Sequence, residues 1–202
     1  VLAGLARPQK AIPARWFYDD RGSELFEEIT KLPEYYPTTA ETEILGERGA
    51  QIALAVGPGR AVVEFGAGSA RKTPLLLNAI APSAYVAIDI SGDFLRESCT
   101  RLAERFPELP IVLGHAGGSV YMLETIVAAS VCPNVYIEVS SLMPHHVLEI
   151  LQHVPATRVM SGSDLPESLE AEMHKLLPVT DLSDADKRAI LWETPRRVFD
   201  GA

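Results

Sequence analysis

From Arg60 onward the chain alternates short apolar runs with longer stretches of helical period, and this constrains its fold most. Ala61–Phe65, Tyr85–Asp89, Pro110–Gly114, Val135–Val139 and Arg158–Ser161 read as buried strands. Lys72–Ile80, Phe94–Phe106, Val120–Ser130 and Pro144–His153 read as helices between them, and Glu167–Leu177 and Ser183–Val198 as two more after them. Continuously apolar strands joined by helices imply right-handed crossovers and a parallel sheet. Five strands are too few for a closed eight-stranded barrel. The predicted fold is α/β, a Rossmann-like three-layer sandwich with a five-stranded parallel sheet, preceded by N-terminal helices. The strand order expected for this class is 3-2-1-4-5, and strand-end residues Gly66, Asp89, His115, Ser140 and Asp164 would share one rim.

Residues 1–58 are helical and irregular by pattern. Ser23 is placed to cap a short helix carrying Leu25, Phe26 and Ile29, stopped by Pro33. Thr38 and Glu41 have capping-box spacing before a second helix. At 202 residues the chain fits one domain. Within it, 1–58 form the helical region, 59–107 a first strand–helix segment and 108–202 a second.

Net charge is −9, mostly beyond residue 105, which argues against a nucleic-acid partner. No apolar run reaches the roughly 18 residues of a membrane span. Cys99 and Cys132 fall in predicted helices, so reduced thiols and a cytoplasmic setting are expected. The partner class is therefore a small molecule. The chain is expected to be a monomer, or a homodimer joined through an exposed sheet edge.

Glu64-Phe65-Gly66-Ala67-Gly68-Ser69 lies between a strand and a helix. Glycines there let a ligand approach the backbone, and the helix N-terminus offers N–H groups to an anion. Asp89 ends the next strand, placed to accept both hydroxyls of a ribose. Lys72 opens the following helix and could pair with a carboxylate or phosphate. A third glycine is missing, which argues against a dinucleotide. The alternative is a plain strand-to-helix turn.

The N-terminal half resembles a known family. Ala14–Asp19, Gly22–Phe26 and Leu32–Thr38, continued by Glu64–Lys72 and Val86–Ser91, look like the histidine-specific methyltransferases, which make trimethylhistidine in ergothioneine synthesis from S-adenosylmethionine. The resemblance covers roughly residues 7–107. It implies that Gly66, Lys72 and Asp89 contact S-adenosylmethionine and that Tyr18 and Tyr35 line an amino-acid pocket. For the two tyrosines, aromatic packing on the sheet is the alternative.

Residues 106–202 resemble something else. Phe106–Gly118, Asn134–Ser140, Arg158–Pro166 and Ala189–Phe199 are similar to the sixth to eighth strands and closing helix of the metal-dependent amidohydrolases related to the decarboxylase ACMSD, which are (β/α)₈ barrels. That resemblance makes His115 a catalytic or substrate-binding group and Asp164 a metal ligand and base. The other histidines of such a site have no counterpart here, and two ligands seldom hold zinc, so a loop histidine and a turn-bracing aspartate are the expected roles. His145, His146, His153 and His174 are expected on solvated helix surface. Two resemblances meeting at Arg105–Pro110 imply a recombined, engineered chimera without competent activity, retaining part of an S-adenosylmethionine pocket. The alternatives are an N-methyltransferase acting on an amino acid such as histidine, and a metal-dependent hydrolase or lyase.

Overall fold

The computed structural model describes residues 1–12, 17, 20–89, 92–117, 122–163 and 169–200. Among the described residues α1 (Leu2–Leu5), α2 (Asp20–Ile29) and α3 (Pro37–Val56) come first. Strands and helices then alternate: β1 (Ala61–Phe65), α4 (Thr73–Ile80), β2 (Ala84–Ile88), α5 (Gly92–Arg105), β3 (Ile111–Leu113), α6 (Met122–Val131), β4 (Val135–Glu138), α7 (Pro144–Leu151) and β5 (Val159–Met160). The helices α8 (Leu169–His174), α9 (Asp184–Arg188) and α10 (Thr194–Asp200) follow.

The fold class is as expected: α/β with a five-stranded, all-parallel sheet preceded by N-terminal helices. The strand order is different. The sheet runs 1-2-3-4-5, where 3-2-1-4-5 was expected. In the expected order the chain would return to the free side of β1 after β3. Here each crossover advances one strand in the same direction, so β1 is an edge and β3 is central.

This order distributes the core unevenly. One face of the sheet carries Tyr85, Ile111, Val135, Ile137 and Val159, all fully buried with Leu77, Leu102, Ile126 and Ile150 of the helices. The opposite face is covered by a smaller cluster, Ala84, Val112 and Met160 under Val198 of α10. Over β1 that face is open: Val63 is 50% and Phe65 78% exposed.

Local chemistry explains where several helices depart from their expected bounds. Ser23 sits inside α2, which begins at Asp20 and ends at Ile29, before Pro33. The capping box at Thr38 does not form. Pro37 instead opens α3, since proline lacks the N–H that the first turn leaves unpaired, and the Thr38 carbonyl accepts from the Thr42 hydroxyl at 2.7 Å. Ser183 does cap α9, its hydroxyl accepting the Asp186 N–H at 3.1 Å. The expected closing helix is interrupted by a π turn at Ala189–Glu193. Pro195 follows; without an N–H and with a ring that crowds the preceding turn, it suits a widened turn there.

Both cysteines are buried free thiols. Burial, and then the charge of Glu64, push the Cys99 thiol up to about 12, and burial raises that of Cys132 as well. Thiolate is the reactive form. Ellman's reagent at pH 8 should therefore modify neither cysteine of the folded protein within minutes, and both after denaturation. Rapid reaction of the native protein would show the packing around Cys99 of α5 and Cys132, just beyond α6, to be open.

Candidate functional site

The loop after β1 hangs on the end of β2. The N–H groups of Gly66 and Ala67 donate to the Ile88 carbonyl at 2.8 and 3.3 Å. Gly66 (φ 68°) and Gly68 (φ 51°) hold left-handed conformations that glycine adopts without penalty. Room is not the constraint at Gly66, where an added Cβ would meet nothing within 4 Å. Asp89 closes the loop, accepting the Gly68 N–H at 2.8 Å, and the Ser98 hydroxyl of α5 donates to the Gly68 carbonyl at 2.8 Å.

Beneath the loop, one oxygen of Glu64 accepts hydroxyls from Thr73 at 2.8 Å and Tyr85 at 2.7 Å. Tyr85 is fully buried, and burial followed by the Glu64 charge raises its pKa far above the usual phenol value. Glu64 thus ties β1 to α4 and β2.

The loop, β2 and helices α2 and α3 enclose a cavity of about 500 Å³. That lies within the roughly 300–1,000 Å³ of small-molecule sites. Gly66, Lys72 and Asp89 are brought together on its wall, joined by Glu27, Arg71 and Thr38. Lys72 is ion-paired with Glu41 of α3, and Arg71 Nε lies 3.2 Å from Glu27 Oε2 of α2. Tyr35 stands edge-on to Phe26, ring centroids 5.8 Å apart, and Phe26 borders the cavity. Of the two tyrosines, Tyr35 thus reaches the site through an aromatic contact, while Tyr18 lies outside the described residues.

Sequence reading missed Glu27 and Arg71. Glu27 follows Ser23 by one helical turn, and both line the cavity. That spacing was a usable signal, hidden because an acidic residue on an amphipathic helix ordinarily faces water.

His115 lies elsewhere on the rim, beyond β3 and away from the cavity wall. It adopts a left-handed conformation, φ 58° and ψ 12°. Its N–H donates to Glu138 at 2.9 Å, and its Nδ1 is 2.6 Å from the Ser140 hydroxyl, which donates to Glu138 at 2.8 Å. Glu138, unremarked in the sequence, is the hub of this cluster. Burial opposes its ionisation, but hydrogen bonds from His115 and Ser140 outweigh this and hold its pKa below the usual carboxylate value. Asp164 lies outside the described residues. Among the described residues no group of three His, Cys, Asp or Glu could hold a metal ion. Nor is any helix of those residues long and apolar enough to cross a membrane.

His145 is exposed, as expected, while His146 is half-buried. Their rings lie 4.0 Å apart, and His146 Nδ1 is buried without a hydrogen bond. His174 bonds the Glu170 carbonyl through Nδ1 at 2.8 Å.

The histidine N-alpha-methyltransferases of Mycolicibacterium smegmatis and Mycobacterium tuberculosis are 39% and 40% identical over 115 residues, covering 55% of this chain and 36% of each relative. The chain thus spans about a third of the length of these curated relatives. The structure is similar to that of 4-oxalomesaconate hydratase from Rhodopseudomonas palustris, TM-score 0.52, at 18% identity over 89% of this chain and 68% of that one. That likeness is one of fold alone.

The expectation of an engineered chimera without competent activity is therefore corrected. The relatives carry methyltransferase names, and the family match runs through residue 117, past the supposed seam at Arg105–Pro110. Its sequence model, described as histidine-specific methyltransferase, SAM-dependent, covers residues 1–117. This chain belongs to that family.

Proposed function

We propose that the chain binds S-adenosylmethionine in the cavity beside Gly66–Thr73 and transfers its methyl group to the amine of an amino acid such as histidine. The observation that carries this reading is the pairing of Asp89 with the Gly68 N–H at the mouth of a 500 Å³ cavity. A carboxylate fixed there lies where a ribose diol would be met. At Gly66 and Gly68, both left-handed and both lining the cavity, the loop presents backbone without a side chain.

The donor supplies an electrophilic methyl on a sulfonium. The chain's own residues bind and orient. Asp89 accepts the ribose hydroxyls, and Lys72 is near enough to exchange Glu41 for a ligand carboxylate. Phe26, backed by Tyr35, gives the cavity an apolar side. Methyl transfer needs the acceptor nitrogen's lone pair, so the amine must reach the site unprotonated.

Calorimetry with S-adenosylhomocysteine, the demethylated product, tests this. The wild type should bind, and Asp89→Ala should bind about 10- to 100-fold more weakly, the loss of hydrogen bonds to a charged group worth roughly 1.5–3 kcal/mol. Equal binding by the two proteins would refute the assignment of Asp89. Absence of binding by the wild type would refute the cofactor.

A further inference from the structure

We propose that the Glu27–Arg71 ion pair is a clamp for an α-amino-acid head group, the guanidinium taking the carboxylate and Glu27 the ammonium. This rests on the methyl-donor reading of the cavity.

Three carboxylates face that cavity, and two are engaged. Glu64 Oε2 holds two hydroxyls, and Asp89 Oδ2 holds the Gly68 N–H. Glu27 differs. Its Oε2 is buried and accepts no hydrogen bond, although Arg71 Nε stands 3.2 Å away. The pair is close enough for charge attraction but poorly directed, so the oxygen still lacks a donor. A buried carboxylate oxygen in that state favours an incoming N–H. Arg71 offers the complement. Among the described residues nothing accepts a hydrogen bond from its terminal nitrogens, and its side chain is 64% exposed. Lys72, the neighbouring cation, has to give up Glu41 before it can take a ligand carboxylate, whereas the Arg71 terminal nitrogens have no partner to give up among the described residues.

Position strengthens the case. Glu27, Ser69, Ala70 and Arg71 also border a second cavity of about 570 Å³, between α2 and α5, that carries Lys31 and Arg101. The ion pair is thus the shared wall of two adjoining spaces. A pair of opposite charges has no net charge to attract a simple anion or a simple amine. Either would engage one half and strip the other of its partner. A zwitterion satisfies both halves at once, and guanidinium–carboxylate pairing is well matched in geometry. Two sources have this chemistry: the methionine portion of the methyl donor, whose ammonium takes no part in the transfer, and the amino-acid acceptor, which would bind as the zwitterion and lose its ammonium proton to solvent before its nitrogen accepts the methyl group.

The test is calorimetry on the full chain with three probes: S-adenosylhomocysteine, 5′-methylthioadenosine and L-histidine. 5′-Methylthioadenosine is a related nucleoside thioether without the amino-acid head. Glu27→Gln and Arg71→Gln are compared with wild type. The Arg71 half of the pair is 64% exposed and Glu27→Gln keeps the shape of its side chain while removing a charge that lacks a hydrogen bond, so both variants should keep their melting temperature. If the clamp holds the donor, wild type binds S-adenosylhomocysteine at least 10-fold more tightly than 5′-methylthioadenosine. Both variants then erase that ratio and leave 5′-methylthioadenosine binding unchanged. If it holds the acceptor, both variants weaken L-histidine at least 10-fold and leave S-adenosylhomocysteine unchanged. Variants that bind all three probes as wild type does would overturn the clamp while the cofactor reading stands. If neither nucleoside binds wild type, the cofactor reading fails, and the L-histidine arm alone decides the clamp: no binding, or no loss in the variants, overturns it.

Discussion

Ile111→Ala should lower stability by about 4 kcal/mol and bring the urea midpoint down by about 1–2 M, while Val63→Ala should change it by less than about 1 kcal/mol. Ile111 is fully buried on β3 and lies in register between Tyr85 of β2 and Val135 of β4. Both neighbours are held by their own ladders, so the space left by three missing carbons cannot close. The loss therefore includes the transfer term and a cavity term. Val63 lies on β1 and is half exposed, and its truncation leaves no enclosed void. The pair of variants also tests the strand order. In a 3-2-1-4-5 sheet β1 would be central and β3 an edge, and the two effects would approach each other or reverse. Equilibrium urea unfolding decides this. An Ile111→Ala loss under about 1 kcal/mol, or a larger loss at Val63, would refute the sequential sheet.

That contrast marks how far the sequence could be read. Apolar runs at Ala61–Phe65, Tyr85–Asp89 and Val135–Val139 report strands because burial demands them, and strands lie at each. They do not report neighbours. Ala-Val-Val-Glu-Phe reads as a strand buried on both faces, yet Val63 and Phe65 look outward. Each helical crossover is long enough to return the chain to either side of the sheet, and a single sequence records no preference between them. The glycine loop and Asp89 were legible because their chemistry is local to two strand ends. The Glu27–Arg71 pair joins residues 44 apart through the packing of α2 on the loop, and the Glu138 hub gathers donors from two separate loops. Such sites depend on tertiary placement. His115 was expected as a loop histidine; its partners Ser140 and Glu138, which make it one member of a hydrogen-bonded rim cluster, were not legible in the sequence.

Gly162→Ala should cost on the order of 3 kcal/mol, a fall of about 6–12 °C in melting temperature at pH 7 for a chain of this length. A Cβ built at Gly162 would stand 2.2 Å from Glu138 Oε1 and 2.6 Å from its carboxyl carbon. The carboxylate cannot simply swing aside. Oε1 accepts the Ser140 N–H at 2.5 Å, and Oε2 accepts the His115 N–H and the Ser140 hydroxyl. Moving it leaves a buried charge short of donors, which costs more than the neutral hydrogen bonds themselves are worth. The same network makes the effect depend on pH. Its donors hold the folded-state pKa of Glu138 below the ordinary value of 4.5. The stabilisation it brings is therefore complete above the unfolded-state pKa and is lost as pH falls through the folded-state one. The gap between wild type and Gly162→Ala should be widest near neutrality and should shrink below pH 4.5. Gly66→Ala is the control, since its left-handed backbone is strained by a side chain but no atom lies in the way. Its smaller loss should not vary across the same acid range. Melting curves at pH 7 and in the acid range resolve the two behaviours. A Gly162→Ala protein that melts within 2 °C of wild type at pH 7 would show that Glu138 does not hold this part of the rim together.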